Sequence, residues 1–361
     1  MTSWKTYKLG DILNFRRGHD LPKTQMVDGD IPVAGSNGII GYHNVSTPIE
    51  PCITIGRSGN VGTPYIYDKC WAHNTVLYVD DFKGNDPLYL YYLLKTIPLA
   101  SYGGGSAVPT LNRNHIHPIE IKHTPSLEEQ RRIAGILGAI DDKIENNRRI
   151  NDNLEQQAQA LFDKTFFEDN DAERNPLSDY ADINPTRTLR QGVVARYIEM
   201  ANLPTRGSFP SDWSYKSYGG GCKFANGDTI MARITPCLEN GKTAYIDFLE
   251  EQEVAFGSTE YIVISAKNGY CPALFYFLAR NKEFVDYAVG HMNGSSGRQR
   301  VSGVDIAKFS MPYISLEESN KFAEVVMPMM DVIRNNSLEN RHLATLRDTM
   351  LPKLMNGEIK L

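Results

Sequence analysis

The chain has 361 residues, of which 41% are hydrophobic and 22% are charged, and its formal net charge is -5. This composition excludes a disordered or uniformly basic protein, and the length predicts two or more domains with cores of their own. There is no run of about 18 apolar residues and no apolar leader at the N-terminus, so we expect a cytoplasmic protein with no membrane partner.

Residues 1–125 have the pattern of a small domain built from strands and short helices. Runs such as "CITIGRS" at 52–58 and "TVLYVDD" at 75–81 are short, rich in β-branched residues and bounded by turn residues, which is typical of strands. The stretch "LYLYYLLK" at 88–95 has the character of a helix. An α+β domain with a mostly antiparallel or mixed sheet is therefore predicted.

Side chains that could bind a metal give only weak signals. His115, His117 and His123 are clustered in the sequence, but no paired carboxylate motif accompanies them, so we interpret them as polar loop residues. The five cysteines are scattered and form no C-x-x-C pair, which favours buried free thiols over a zinc or redox site. No metal site is predicted.

Residues 126–168 have the period of one long helix. Ser126 and Glu129 have the spacing of a capping box, in which hydroxyl and carboxylate bind otherwise unpaired backbone amides. Alternating steps of four and three residues then define a seam of the kind found in coiled coils. The predicted seam contains Ile133, Leu137, Ile140, Ile144, Asn147, Asn151 and Leu154.

Residues 169–314 repeat the pattern of the first region. "PLYLYYLLK" at 87–95 aligns with "PALFYFLAR" at 272–280, and "NTVLYV" at 74–79 aligns with "STEYIVI" at 258–264. The chain is therefore predicted to be a tandem duplication of one globular unit followed by one long helix.

The second helix, predicted within 315–361, has the same features as the first. Ser315 and Glu318 form a second potential capping box, and Gly357 is expected to end the helix. The seam again changes from apolar residues to a pair of asparagines near its middle. Its predicted members are Phe322, Val326, Met329, Ile333, Asn336, Asn340 and Leu343.

Two helices with matching apolar stripes are expected to pack against each other, with the asparagines fixing their register. We predict antiparallel pairing, which places Asn147 and Asn151 near Asn340 and Asn336. The alternative is that each helix packs only on its own globular core.

The duplicated unit, the helix start "SLEEQRRIAGILGAIDDKIENN", the loop "HMNGSSGRQRVSGVDI" and the ending "LMNGEI" resemble the specificity subunit of type I restriction-modification enzymes. The resemblance implies target-recognition domains at 1–125 and 169–314, each followed by a spacer helix, at 126–168 and 315–361. It also implies a non-catalytic subunit that reads a bipartite, asymmetric site in double-stranded DNA.

The partners and cofactors implied by this resemblance belong to other subunits. The helices would dock methyltransferase subunits, expected to be two, and restriction subunits could join them. S-adenosylmethionine, ATP and Mg would be bound by those partners, and no cofactor would be bound by this chain.

Candidate DNA contacts are polar or basic residues on glycine-rich loops, where the backbone can approach the phosphates and base edges. Each globular region has such loops, and "GSSGRQR" at 294–300 of the second region is the strongest candidate because two arginines lie beside a flexible polar turn. The candidates are Ser36, Asn37, Arg57, Ser58, Asn60, Ser106, Thr110, Asn112 and Arg113 in the first region and Arg233, Asn240, Lys242, Ser295, Ser296, Arg298, Gln299 and Arg300 in the second.

Two other function classes remain as alternatives. A structural coiled-coil adaptor would explain the helices but not two sets of polar loops. A stand-alone nuclease or methyltransferase would need a cofactor motif, and "NGKT" at 240–243 lacks the first glycine of a phosphate-binding loop. No catalytic residue is predicted.

Overall fold

The structure is a computed structural model that describes residues 4–104, 109–169, 171–267, 269–295, 297–359 and 361. The chain folds into two compact units. Unit 1 comprises Met1–Ile144 and His342–Leu361, and unit 2 comprises Glu145–Arg341. Each unit therefore contains a part of both long helices, and the two units are described separately.

In its described part, unit 1 consists of nine short strands, three short helices and parts of the two long helices. Its elements are β1 (Lys5–Lys8), α1 (Leu9–Ile12), β2 (Asn14–Arg17), β3 (Ile31–Gly35), β4 (Gly38–His43), β5 (Cys52–Gly56), β6 (Pro64–Tyr67), β7 (Trp71–Ala72), β8 (Val76–Asp81), α2 (Pro87–Thr96), α3 (Arg113–Ile116), β9 (Glu120–His123) and the first part of α4 (Leu127–Phe166).

Three sheets form in unit 1, with strand orders β2-β8-β5-β6, β4-β3-β7 and β1-β9. All neighbours are antiparallel except β3 and β7, which are parallel. Strand β5 is buried along its whole length, which explains its continuous run of Cys, Ile and Thr. The predicted α+β class is confirmed.

The core of unit 1 forms where α2 meets both long helices. Asp86 caps α2 by accepting a hydrogen bond from the Tyr89 amide at 2.9 Å, and Pro87 occupies the first turn, where its missing N–H costs nothing. Buried residues of α2 join Ile133 and Leu137 of α4 and Leu354 of the C-terminal helix in one apolar cluster.

Unit 2 has a similar sequence of elements, with an additional strand at Cys222–Phe224 and an additional helix at Lys282–Gly290. Its elements are the rest of α4, β10 (Arg174–Pro176), β11 (Ala181–Ile183), β12 (Val194–Ile198), β13 (Ser214–Ser217), β14 (Cys222–Phe224), β15 (Asp228–Ala232), β16 (Thr243–Tyr245), β17 (Ala255–Gly257), β18 (Tyr261–Ala266), α5 (Leu274–Arg280), α6 (Lys282–Gly290), α7 (Gly303–Ala307), β19 (Ser310–Pro312) and the first part of α8 (Leu316–Met355).

The sheets of unit 2 have strand orders β11-β18-β15-β16, β13-β12-β17-β14 and β10-β19. Again one pair, β12 with β17, is parallel and the others are antiparallel. An aromatic cluster joins the long helices to α5. In it, Phe162 of α4, Phe277 of α5 and Phe322 of α8 lie with ring centroids 6.0 to 6.3 Å apart.

The predicted ends of the helices agree with the structure except at one capping box. Ser315 and Glu318 bind each other's backbone amides, at 3.2 and 2.9 Å. At the first helix the Ser126 hydroxyl accepts from the Glu129 amide, but the Glu129 carboxylate accepts instead from Trp4 Nε1 and from the Thr124 hydroxyl. Only half of the predicted first capping box therefore forms.

Gly357 ends α8 as predicted. It adopts a left-handed φ of +75°, which favours glycine. The Gly357 amide donates to the Leu354 carbonyl and the Glu358 amide to the Lys353 carbonyl, which is the hydrogen-bond pair of a Schellman motif.

Within unit 2, α4 and α8 pair antiparallel, which confirms the predicted asparagine register. Asn147 Nδ2 lies 2.9 Å from Asn340 Oδ1, and Asn336 Nδ2 lies 2.9 Å from Asn151 Oδ1. Asn151 also donates to the Ser337 hydroxyl at 3.1 Å. Within unit 1, the helices are joined by an ion pair of 2.6 Å between Asp141 Oδ1 and Arg347 Nη1.

Seven of the fourteen predicted seam residues are buried and the other seven are half-buried. Ile140, Met329 and Leu343 are half-buried, and Met330 is buried beside Met329. Because an α-helix has 3.6 residues per turn, a strict 3.5-residue seam drifts around its surface unless the helices supercoil. The helices pair with each other and do not pack only on globular cores, although seam residues also enter the cores of units 1 and 2. The buried seam members are Ile133, Leu137, Ile144, Asn147, Phe322, Val326 and Ile333.

Two sequence interpretations need correction. His123 lies in β9 and is buried, so it is a core residue and not a loop residue. His117 accepts a hydrogen bond from the Phe15 amide at 3.2 Å, and His115 is exposed. All five cysteines are free, but Cys222 and Cys237 are half-buried, since their short strand and turn leave them near the surface.

The burial of His123 predicts a local loss of stability in acid. Burial lowers the pKa of His123 from 6.5 to about 4. Between these values the unfolded chain binds more protons than the folded chain, so the free energy of unfolding falls as the pH falls. Between pH 7 and pH 5 we expect a loss of about 2 kcal/mol from this group.

This loss is measured by hydrogen exchange of the β9 amides at the two pH values, corrected for intrinsic exchange rates. His123→Phe should remove most of the difference, because phenylalanine keeps the ring contacts with Tyr7 and Tyr89 without a titrating group. An identical pH dependence in the two proteins would contradict the assignment.

Candidate nucleic-acid interface

One backbone arrangement occurs at the same place in both units. Arg57 and Arg233 each follow a buried central strand, β5 in unit 1 and β15 in unit 2. The Arg57 amide donates to the Thr75 carbonyl at 2.8 Å, and the Arg233 amide donates to the Glu260 carbonyl at 3.0 Å. Both arginines are thus fixed from one side by the segment that precedes the next central strand.

The opposite side of each arginine is fixed by a second loop. The Arg57 carbonyl accepts from the Leu111 amide at 2.8 Å, and the Arg233 carbonyl accepts from the Val301 amide at 3.0 Å. The residue that follows each arginine also pairs with the second loop through a single antiparallel β-bridge. Ser58 pairs with Thr110 in unit 1, and Ile234 pairs with Arg300 in unit 2. We call this set of backbone contacts the loop frame of each unit.

The loop frame ends at a capped short helix in both units. Asn112 accepts a hydrogen bond from the Asn114 amide at the start of α3, and Ser302 accepts from the Asp305 amide at the start of α7. Equivalent backbone positions therefore carry different side chains, with Thr75 and Thr110 in unit 1 where unit 2 has Glu260 and Arg300.

Unit 1 adds a hairpin turn to its loop frame. Ser36 and Asn37 form the turn between β3 and β4. A Cβ atom built on Gly59 would lie 3.4 Å from the Ser36 hydroxyl, so the turn packs against the loop that follows Arg57. Gly59 has a φ of +87°, and Asn37 and Asn60 are exposed beside it. The glycine thus lets two polar loops approach closely.

Two arginines of unit 1 share one neighbourhood. Partial burial and the nearby Arg17 guanidinium lower the pKa of Arg57, although an arginine stays charged at neutral pH. Within the described part of the chain, the structure shows no ion pair for either side chain. A third arginine, Arg113, donates through Nη1 to the Phe15 carbonyl at 3.3 Å. The pair of Arg17 and Arg57 suits a phosphate backbone.

Unit 2 has a carboxylate in its loop frame. Glu260 accepts from Arg300 Nε at 2.8 and 3.0 Å and from Arg300 Nη2 at 2.7 Å. This pairing lowers the pKa of Glu260 and raises that of Arg300, because each charge stabilises the other. Arg233 also lies close enough to lower the pKa of Glu260. In unit 2, therefore, the Glu260 carboxylate partly neutralises the positive charge of Arg300 and Arg233.

The structure brings most of the predicted residues together within each unit. In unit 1, Ser36, Asn37, Arg57, Ser58, Asn60, Thr110, Asn112 and Arg113 lie on or beside the loop frame, and in unit 2 Arg233, Ser295, Arg298, Gln299 and Arg300 do so. Ser106 and Ser296 lie outside the described residues.

Two predicted residues of unit 2 are less well placed for a ligand. Lys242 Nζ donates to the Met200 carbonyl at 2.7 Å, so one of its three N–H donors is already used inside the unit. Asn240 is exposed, but it lies at the far end of the turn that follows Arg233.

Sequence reasoning missed Arg17 and Glu260. Arg17 ends β2 in the basic run "FRRG", which was a usable signal. Glu260 takes the backbone place of Thr75, but the sequence alignment pairs Thr75 with Thr259, so only the structure shows this difference in charge between the copies.

Other kinds of site receive no support from the residues that the structure describes. Among them, no three His, Cys, Asp or Glu side chains group as a metal site. None of the helices found there has the length and apolar character needed to cross a membrane.

Comparison with known proteins agrees with this architecture. Residues 1–156 match the family model for the type I restriction modification DNA specificity domain. The MjaIX specificity subunit of Methanocaldococcus jannaschii is 26% identical over 314 residues, covering 75% of this chain and 69% of the relative. The HindI specificity subunit of Haemophilus influenzae is 24% identical over 315 residues, covering 65% of this chain and 68% of the relative.

A solved structure has the same fold. The S subunit of the type I restriction-modification system of M. genitalium superposes with a TM-score of 0.68 at 16% identity, covering 98% of this chain and 96% of the other. The chain is thus similar in fold to this S subunit and similar in sequence to type I restriction enzyme specificity subunits, and its first 156 residues match the specificity-domain model.

Proposed function

We propose that the chain is the DNA-recognition subunit of a type I restriction-modification complex and that it is not itself catalytic. The observation that carries the proposal is the duplicated loop frame, which fixes Arg57 in unit 1 and Arg233 in unit 2 through the same backbone hydrogen bonds. Polar and basic side chains on rigidly held loops are the groups that contact phosphates and base edges.

The two units are proposed to read different half-sites. The same frame carries Thr75 and Thr110 in unit 1 but Glu260 and Arg300 in unit 2, so the donors and acceptors offered to a base differ. A bipartite, asymmetric site in double-stranded DNA follows. Helices α4 and α8 are proposed to act as the spacer between the two half-site readers.

Partners supply the chemistry in this proposal. Two methyltransferase subunits are expected to dock on the chain and to bind S-adenosylmethionine. Restriction subunits that use ATP and Mg could join the same complex. The repeat of unit and helix within one chain supports two modification subunits, since each copy offers a related surface.

The test is adenine methylation in a host that lacks its own adenine methyltransferases. The chain with its modification subunits should methylate adenines in one bipartite motif, while either component alone should methylate none. The purified chain alone should not transfer a methyl group from labelled S-adenosylmethionine to DNA, and such transfer would contradict the non-catalytic role. Failure of the complex to bind DNA would favour a structural adaptor.

A further inference from the structure

Arg300 is held in one orientation by Glu260. The Glu260 carboxylate accepts hydrogen bonds from Arg300 Nε and Nη2 at 2.7 to 3.0 Å. This is a bidentate interaction along one edge of the guanidinium. Arg300 Nη1 donates to the Arg298 carbonyl at 3.0 Å. The backbone of Arg300 is fixed as well, through its bridges to Ile234 and Asn293. The side chain therefore has little conformational freedom left to lose on binding.

The remaining donors of Arg300 are available to a ligand. A guanidinium has five N–H groups, of which Nη1 and Nη2 carry two each. The described contacts use the Nε hydrogen, one on Nη2 and one on Nη1. One N–H is left on each terminal nitrogen, and the Arg300 side chain is 39% exposed. Two adjacent donors of this kind match the O6 and N7 acceptors of guanine in the major groove.

The charge balance favours a base over a phosphate as the ligand of this pair. A carboxylate in direct contact with the guanidinium cancels much of its attraction for a phosphate, and would itself repel one. The base edge is neutral and is recognised by hydrogen-bond geometry, which the pairing preserves. Unit 1 offers no equivalent, since Thr75 and Thr110 occupy the matching positions.

We propose that Arg300 reads a guanine in the half-site of unit 2 and that Glu260 is the positioning residue that orients it. This inference rests on the proposed function and adds to it a base identity and a residue that does not touch the DNA. The half-site of unit 1 is read without such a pair.

The experiment uses the full chain with its modification subunits and maps the methylated motif on a plasmid library of random sequence. In Arg300→Ala and Arg300→Lys, one guanine of one half-site should lose about tenfold or more of its preference over other bases. Glu260→Gln should weaken the same preference, because the amide cannot hold the guanidinium in the same way. The other half-site should be unchanged in all three, which also shows that the variants fold and assemble.

A matched control is available in the same unit. Arg174 and Glu283 form another arginine–carboxylate pair, away from the loop frame. Glu283→Gln should leave the motif unchanged. In addition, replacing the identified guanine with 7-deazaguanine, which lacks N7, should weaken binding by the wild-type complex and have little effect on the Arg300→Ala complex.

The possible contrary results are distinct. If Arg300→Ala weakens methylation equally for all sequences, Arg300 contacts a phosphate and the inference is wrong. If the motif of Glu260→Gln equals that of the wild type while Arg300→Ala changes it, Glu260 is not a positioning residue. If the wild-type complex methylates no bipartite motif, the proposed function itself fails.

Discussion

Replacing Phe322 with alanine is expected to destabilise unit 2 by about 3–5 kcal/mol. Phe322 is only 3% exposed, and its ring centroid lies 5.4 Å from that of Phe166 and 6.0 Å from those of Phe162 and Phe277. Truncation would leave a cavity among three rings on α4 and α5 that cannot all move inward at once. A loss of this size is a large part of the stability of a typical domain.

The measurement is chemical denaturation of the full chain, with hydrogen exchange of α5 and β18 amides to report on unit 2. Val325→Ala is the matched control, because Val325 lies on the same helix but is 47% exposed, and it should change stability by less than about 0.5 kcal/mol. Phe322→Leu should fall between the two. Equal effects of Phe322→Ala and Val325→Ala would mean that α8 does not depend on this cluster.

The paired helices were predictable because their signals are local and repeated. Each signal can be recognised within one helical segment of the sequence. These signals are the hydrophobic period, the Ser315 cap, the helix end at Gly357 and the asparagines at matching seam positions. The details that failed depend on distant residues. Glu129 accepts from Trp4, 125 residues away, as well as from nearby Thr124, and no spacing within the helix could show the contact with Trp4.

The candidate interface was predictable only in part for the same reason. Glycine-rich polar loops are visible in sequence, and most of them do meet in the loop frames. Whether an arginine on such a loop is free or paired depends on which loop lies opposite. Lys242 bonds to the Met200 carbonyl and Arg300 to Glu260, whereas Arg57 lies beside Arg17, and each partner comes from at least 40 residues away.

Replacing Arg17 and Arg57 together with glutamine is expected to weaken DNA binding strongly and without regard to sequence. The two guanidinium groups lie close enough for Arg17 to lower the pKa of Arg57, and the described residues provide no carboxylate partner for either. Two like charges held together in this way favour an anion that can neutralise both. If each arginine contacts one phosphate, each loss should cost about tenfold or more in affinity at low salt, since a charge-assisted hydrogen bond is worth about 1.5–3 kcal/mol.

The slope of the binding constant with salt gives the sharper measurement. Each phosphate contact contributes about 0.9 to the slope of log K against log salt concentration, so the double variant should lose about 2 from it. Lys69→Gln is the control, because Lys69 is a surface cation of unit 1 already paired with Glu50 at 3.3 Å, and its loss should change the slope little. An unchanged slope combined with a changed methylated motif would instead mean that Arg17 or Arg57 reads a base, as we propose for Arg300.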